Sequence, residues 1–281
     1  MKSPLESFKP KSLEAESTLE DESKRLQEDL KDPNYLPSYK KVKPIIDRFT
    51  DKRGNWLLSE TEGKDLNQFM RDEHIYEIFT EEYINGLSEY LKTRIETLSK
   101  TEKIHTILEV GAGNGKLTHL LTERLRDLIA EKNIKLIATD SGDWKVTNSF
   151  QSVEPLGVKD ALAKYHPEIV ISSWMPPQID WAADFRNNDS VQEYILIGPT
   201  GPTGSDDTWM RTREEYAEIY GDKELAARMQ PTSFNRDNFA WIQHPGLDKF
   251  QLSRLDVNGC AKTSADFRSE TNSFIKERAG R

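Results

Sequence analysis

From Ile104 to Gly198, short β-branched runs alternate with helix-periodic stretches, and this alternation restricts the fold more than any other feature of the chain. His105-Thr-Ile-Leu-Glu-Val-Gly reads as a buried strand, and Lys116 to Lys132 reads as a helix with Leu117, Leu120, Leu121, Leu125, Leu128 and Ile129 on one face. Ile134 to Asp140 is the next strand, and Val153-Glu154 a brief one. A helix over Lys159 to Tyr165, a strand over Glu168 to Ser173, a helical stretch near Trp181 to Arg186 and a strand over Glu193 to Gly198 follow. Strands that alternate with helices form a parallel sheet covered on both faces. Ligands in such sheets bind outside the carboxyl ends of the strands.

Glycines 111, 113 and 115 stand where the first of these strands hands over to a helix. Without a β-carbon the backbone can take positive φ and approach a ligand closely. Dinucleotide-binding turns favour Gly-x-Gly-x-x-Gly, with the helix N-terminus aimed at a pyrophosphate. Here the third glycine comes one residue early, which disfavours a nicotinamide-dependent oxidoreductase; a Tyr-x-x-x-Lys pair is also missing from the expected region.

The run Glu109-Val-Gly-Ala-Gly-Asn-Gly115 resembles the first motif of the class I methyltransferases that use S-adenosylmethionine (SAM). The resemblance covers about residues 104–200. It implies a Rossmann-like, mostly parallel seven-stranded sheet with helices on both faces, preceded here by an N-terminal helical extension. It also implies SAM as cofactor, held by Glu109, Gly111, Ala112, Gly113, Asn114 and Gly115. Asp140, ending the second strand, matches the acidic residue that binds both ribose hydroxyls, since a carboxylate accepts two hydrogen bonds at once; Ser141 follows it. Asp160-Ala161 falls where the family places an acidic or small residue beside the adenine, with Glu154 competing for that role.

Ser172-Ser-Trp-Met-Pro-Pro177 ends the fourth strand at the position of the family's catalytic motif. Members that methylate planar nitrogen carry Asn/Asp-Pro-Pro-Tyr/Phe there. This chain keeps Pro-Pro, but Met175 replaces the polar first residue and Gln178 the aromatic last one. Ser173, which also borders the cofactor, together with Trp174, Met175 and Pro176, is expected to line the junction of cofactor and acceptor. The Trp174 ring offers a face to a cation. Asp180 is the foremost candidate for a base or acceptor anchor. Asp184 and His244 come next, and Asp72, Glu73 and His74 after them.

The rest of the sequence frames this domain. Residues 1–33 carry few aromatic or β-branched side chains and read as a charged, flexible tail or a frayed helix. Residues 34–100 read as amphipathic helices, either a cap or a lid, with apolar steps at Leu66, Phe69, Met70, Ile75, Ile78, Phe79, Tyr83, Ile84, Leu87, Leu91 and Ile95. Residues 101–281 form the cofactor-binding domain, with a Gly/Pro-rich loop over Pro199 to Trp209, a charged helix around Arg213 to Met229 and a closing strand over Lys249 to Val257.

The net charge of −9 disfavours nucleic acid and anionic membrane as partners, although Lys40, Lys41, Lys43, Arg48, Lys52 and Arg53 form a local basic cluster. With one cysteine, Cys260, no intramolecular disulfide or cysteine metal cluster is available, and the five histidines lack ligand spacing. No metal is expected. No apolar run approaches a signal peptide or a membrane span, so a soluble, cytoplasmic protein is expected. The expected activity is methyl transfer from SAM to a small-molecule or protein acceptor, and the oligomeric state is left open. The alternative is a SAM-binding scaffold that has lost catalysis, for which the departure at Met175 speaks.

Overall fold

The computed structural model describes residues 12–49, 62–100, 104–142, 153–199, 202–209, 239–252 and 269–276. The alternating region folds as its periodicity requires. Strand β1 (Thr106–Val110) leads into helix α5 (Lys116–Lys132), followed by β2 (Lys135–Asp140), β3 (Val153–Pro155) and helix α6 (Val158–Tyr165). Then come β4 (Ile169–Ser173), helix α7 (Trp181–Arg186), β5 (Glu193–Pro199) and the short helix α8 (Asp206–Trp209). The sheet is completed by β6 (Phe239–Gln243), one turn of helix α9 (Pro245–Asp248) and β7 (Ser269–Lys276).

All seven strands form one sheet in the order β3-β2-β1-β4-β5-β7-β6. Strands β1 to β5 pair in parallel, whereas β7 runs antiparallel between β5 and β6. Because side chains alternate across a strand, the sheet feeds two cores. Ile107, Ile169, Ile171, Ile195 and Ile197 pack against helices α4 (Glu81–Leu98) and α5. Leu108, Val110, Val170, Tyr194 and Leu196 pack against α6, α7 and Phe274 of β7. Strands β1 and β5 are buried along their whole length, as central parallel strands must be.

The N-terminal region differs from its sequence reading in two places. Residues Ser12–Lys31 form helix α1, whose Leu26 and Leu30 are buried in a third core with Val42, Ile46, Leu66, Met70, Ile78 and Leu252. Around Leu26 and Leu30 the chain is therefore packed and not a solvated tail, because two leucines spaced four residues apart supply one apolar edge to the bundle; residues 1–11 lie outside the described residues. Helices α2 (Tyr39–Phe49) and α3 (Glu62–Asp72) complete that bundle. The helical pattern expected through Ile75, Ile78 and Phe79 is interrupted instead. His74 takes φ 54° just after α3 and residues 75–80 are not helical, until Thr80 caps α4 by accepting a hydrogen bond from Tyr83 N–H.

The closing strand also lies elsewhere than expected. Lys249 to Leu252 form a turn whose Leu252 is buried in the third core, and β7 closes the sheet from 269 to 276. Residues 253–257 of that expectation, and the charged helix expected around Arg213 to Met229, lie outside the described residues. In the basic cluster, Lys41 pairs with Asp29 at 3.4 Å and Lys43 with Asp47, so part of it is neutralised locally; Lys52 and Arg53 lie outside the described residues.

Candidate functional site

Strand register assembles the site. Val110 stands beside Thr139 on one side and Ser172 on the other, so the next residues, Gly111, Asp140 and Ser173, emerge together at the carboxyl edge of three adjacent strands. Ala112 N–H donates to Thr139 C=O at 3.0 Å and ties the turn to β2. Gly111, Gly113 and Gly115 take φ 62°, 56° and 81°, values that side chains resist. Two of them differ in what surrounds them. A β-carbon on Gly111 would lie 2.7 Å from the Trp181 ring, while one on Gly113 would meet nothing within 4 Å. The turn is thus packed from below by Trp181 at its first glycine and open at its second.

Asp140 borders that opening. One carboxylate oxygen accepts Gly113 N–H at 2.9 Å and the other accepts Gly142 N–H at 2.8 Å. Asn114 uses its side-chain oxygen to accept Lys116 N–H at 3.0 Å, so its side chain serves the turn and the head of α5. Ser141 is exposed beside Asp140.

Glu109, expected to touch cofactor, turns the other way. It is 2% exposed, and one of its carboxylate oxygens accepts both Thr118 N–H at 2.9 Å and Thr118 Oγ–H at 2.5 Å. Burial pushes its pKa up to about 7 against those two hydrogen bonds, with Asp140 adding to the rise. It therefore anchors α5 to β1 beneath the glycine turn. Lys116 is the first residue of α5. Burial lowers its pKa to about 8, and Asp32 in the segment between α1 and α2 opposes that shift. His119, one turn further, meets Asn34 at 2.9 Å, so the extension reaches the head of α5.

At the end of β4 the polar and aromatic side chains separate by role. Ser173 is half-buried at the edge, and Trp174 follows at φ 56° with its N–H donating to Ile197 C=O at 2.7 Å. The Trp174 indole Nε1–H donates to Glu77 at 2.9 Å, and Tyr76 lies against the indole with ring centroids 5.4 Å apart. Glu77 is 7% exposed and also accepts Ser269 Oγ–H at 2.9 Å from the start of β7. Sequence offered no signal for Tyr76 and Glu77, which reach the site from 97 residues away.

Met175, expected at the junction with the acceptor, is instead 2% exposed and packed in the core, where its sulfur accepts from Trp181 N–H and Thr208 Oγ–H. Its unbranched thioether fills a gap between α7 and α8, which explains an apolar residue there. Pro176 stays half-buried in the turn that follows, and Gln178, at φ 64°, donates its N–H to Gly204 C=O at 2.7 Å. Asp180 is committed to structure, with Arg186 at 3.3 Å and Thr208 Oγ at 3.0 Å.

The remaining candidates disperse. Asp160 is exposed on the first turn of α6, whereas Ala161 is buried in the core. Glu154, paired with Thr139 near the carboxyl end of β3, binds Lys164 and Tyr165 of α6. Asp184 faces Lys159 at 3.8 Å. His244 bonds Ser273 at 2.8 Å and packs on Tyr90, between α4 and β7, apart from the glycine turn. Asp72 accepts from Gln68, and Glu73 and His74 occupy the turn after α3. Among the described residues no group of three side chains could hold a metal ion, and no helix is long and apolar enough to cross a membrane.

No protein-family model and no curated protein matches the sequence. Solved structures similar in fold include the carbon methyltransferase DszA, at 16% identity over 97% of this chain and 72% of that one, with a TM-score of 0.38. The plantazolicin methyltransferase BpumL in complex with S-adenosylhomocysteine (SAH) is similar at 12% identity over 94% and 98%, with a TM-score of 0.34. The methyltransferase domain of the citrinin polyketide synthase is similar at 13% identity over 70% and 53%, with a TM-score of 0.36. The strand order with its antiparallel β7, and the glycine turn after β1, make this a seven-stranded, mostly parallel, Rossmann-like sheet.

Proposed function

We propose that the chain is a SAM-dependent methyltransferase acting on a small-molecule or protein acceptor. The observation that carries this reading is the open cradle at Gly113, with the Asp140 carboxylate on its rim. A carboxylate has about four acceptor positions, and backbone N–H groups take one on each oxygen of Asp140, so both oxygens keep capacity for the two hydroxyls of a ribose. The backbone of residues 111–115 would hold the methionine and ribose parts of the cofactor.

When bound, SAM supplies a methyl group on a positively charged sulfur, already an activated leaving group. What the protein must add is alignment, and positioning alone supplies large rate factors. Ser173 and Trp174 stand at the strand end where an acceptor would meet the cofactor. Asp180, held by Arg186 and Thr208, braces α7 and α8.

Calorimetric titration with SAM, SAH and NAD tests the reading. SAM and SAH are expected to bind and NAD to fail; Asp140→Ala should weaken SAM by about tenfold to a hundredfold, the effect of losing hydrogen bonds to a charged group. Tight NAD binding without SAM binding would sink the proposal. SAM binding with no transfer of labelled methyl to any component of a cell extract would favour the scaffold, a reading that the core position of Met175 supports.

A further inference from the structure

Glu109 lies beneath the glycine turn and Asp140 on its rim, so two carboxylates flank the cradle that opens at Gly113. Neither is paired with a cation among the described residues. Asp140 is held by the N–H groups of Gly113 and Gly142, and Glu109 by the N–H and hydroxyl of Thr118. The strands beside Glu109 present Ala138 and Ile171, which carry no charge. On α5, Lys116 interacts with Asp32 and His119 with Asn34, both in the extension. Among the described residues Asp140 is thus the charged group that acts on Glu109, and it adds to the rise that burial causes.

A buried carboxylate is poorly screened, and a second one nearby adds a repulsion that a positive charge in the cradle relieves. SAM and SAH differ by one methyl group and one positive charge. A cradle shaped for one therefore fits the other, and charge is what remains to tell them apart. We propose that Glu109, acting with Asp140, makes the cradle prefer the sulfonium of SAM to the uncharged thioether of SAH, and so favours release of the product after transfer. This rests on the methyltransferase reading and adds the means by which the site distinguishes donor from spent donor. Glu109 is a positioning residue in this sense, acting through charge and not through contact. Its loss of a proton strengthens the preference, and by linkage a bound sulfonium drives that proton off.

The test titrates the full chain with SAM and with SAH by calorimetry at about pH 5 and about pH 8, on either side of the Glu109 pKa of about 7. The ratio of the SAH to the SAM dissociation constant should rise with pH by about tenfold more in wild type than in Glu109→Gln, the size of one charge–charge interaction across a protein interior. Titrations of the ligands themselves occur with both proteins and cancel in that comparison. Carbon-13 NMR of wild-type protein labelled at its glutamate carboxyls reads the same linkage from the other side. The Glu109 carboxyl should titrate about one pH unit lower in the SAM complex than in the SAH complex. Equal pH dependence of the ratio in wild type and folded Glu109→Gln overturns the proposal. A carboxyl that titrates at the same pH in both complexes, or lower with SAH, does so too. Should the variant fail to fold, the wild-type NMR comparison still decides. A chain that binds neither SAM nor SAH is a different result, and overturns the methyltransferase reading itself.

Discussion

Replacing Glu109 with Gln should flatten the dependence of stability on pH. The carboxyl group titrates near 4.5 when exposed and near about 7 in the folded protein. Below pH 4.5 it is protonated in both states, and its contribution to stability is complete. As pH rises through the window between those values, the unfolded chain releases a proton that the folded chain retains, and stability falls by about 1.4 kcal/mol per unit. Across the window the loss is about 3 kcal/mol. Glutamine does not titrate, so the stability of Glu109→Gln relative to wild type should rise by that amount between about pH 4.5 and about pH 8. Any fixed difference between the amide and the carboxyl cancels between the two conditions, as do the titrations of His244 and Asp248. Urea unfolding followed by circular dichroism, with slope and midpoint both fitted, measures the quantity directly. Parallel pH profiles for the two proteins would refute the claim that burial dominates over the Thr118 hydrogen bonds.

Two further substitutions probe packing and buried charge. Gly111→Ala should destabilise the protein more than Gly113→Ala by about 1–3 kcal/mol in thermal or urea unfolding, since both adopt positive φ but only the first would drive a methyl group into Trp181; equal losses would contradict the geometry. Arg94→Met leaves the fully buried Glu193 with the neutral hydroxyls of Tyr90 and Ser273 and no paired cation from Arg94, and should cost about 3–5 kcal/mol, part of which Glu193→Gln in the same chain should restore. A loss below about 1 kcal/mol, the range of exposed pairs, would show that the pair is solvated.

The parallel half of the sheet was legible because its strands announce themselves as isoleucine- and valine-rich runs and its glycine turn has one steric explanation. The antiparallel half was not. Strand β7 reads Ser-Glu-Thr-Asn-Ser-Phe-Ile-Lys, and Ser269, Thr271, Asn272 and Ser273 are buried although polar. Three of them have partners distant in sequence: Tyr83 and Gln251 on Thr271, His244 on Ser273, Glu77 on Ser269. A rule that seeks apolar alternation passes over such a strand and settles on Phe250 and Leu252, which are apolar for a different reason, as cover for α4 and the third core. The site shows the same division. The position of Asp140 beside the glycine turn was legible because it ends a strand, whereas the inward turn of Glu109 depends on Thr118, and the core position of Met175 depends on α7 and α8.

The bonds from Trp174 and Ser269 to Glu77 have a consequence for the order of assembly. They close loops of 97 and 192 residues, so their entropic cost falls due before any local contact offsets it. A chain emerging from the ribosome can build α4, β1, α5 and β2 from neighbouring contacts, and with them the glycine turn. Glu77 gains its second donor only after β7 inserts between β5 and β6. The glycine turn should therefore form early in synthesis, and the full set of bonds around Glu77 and Trp174 last.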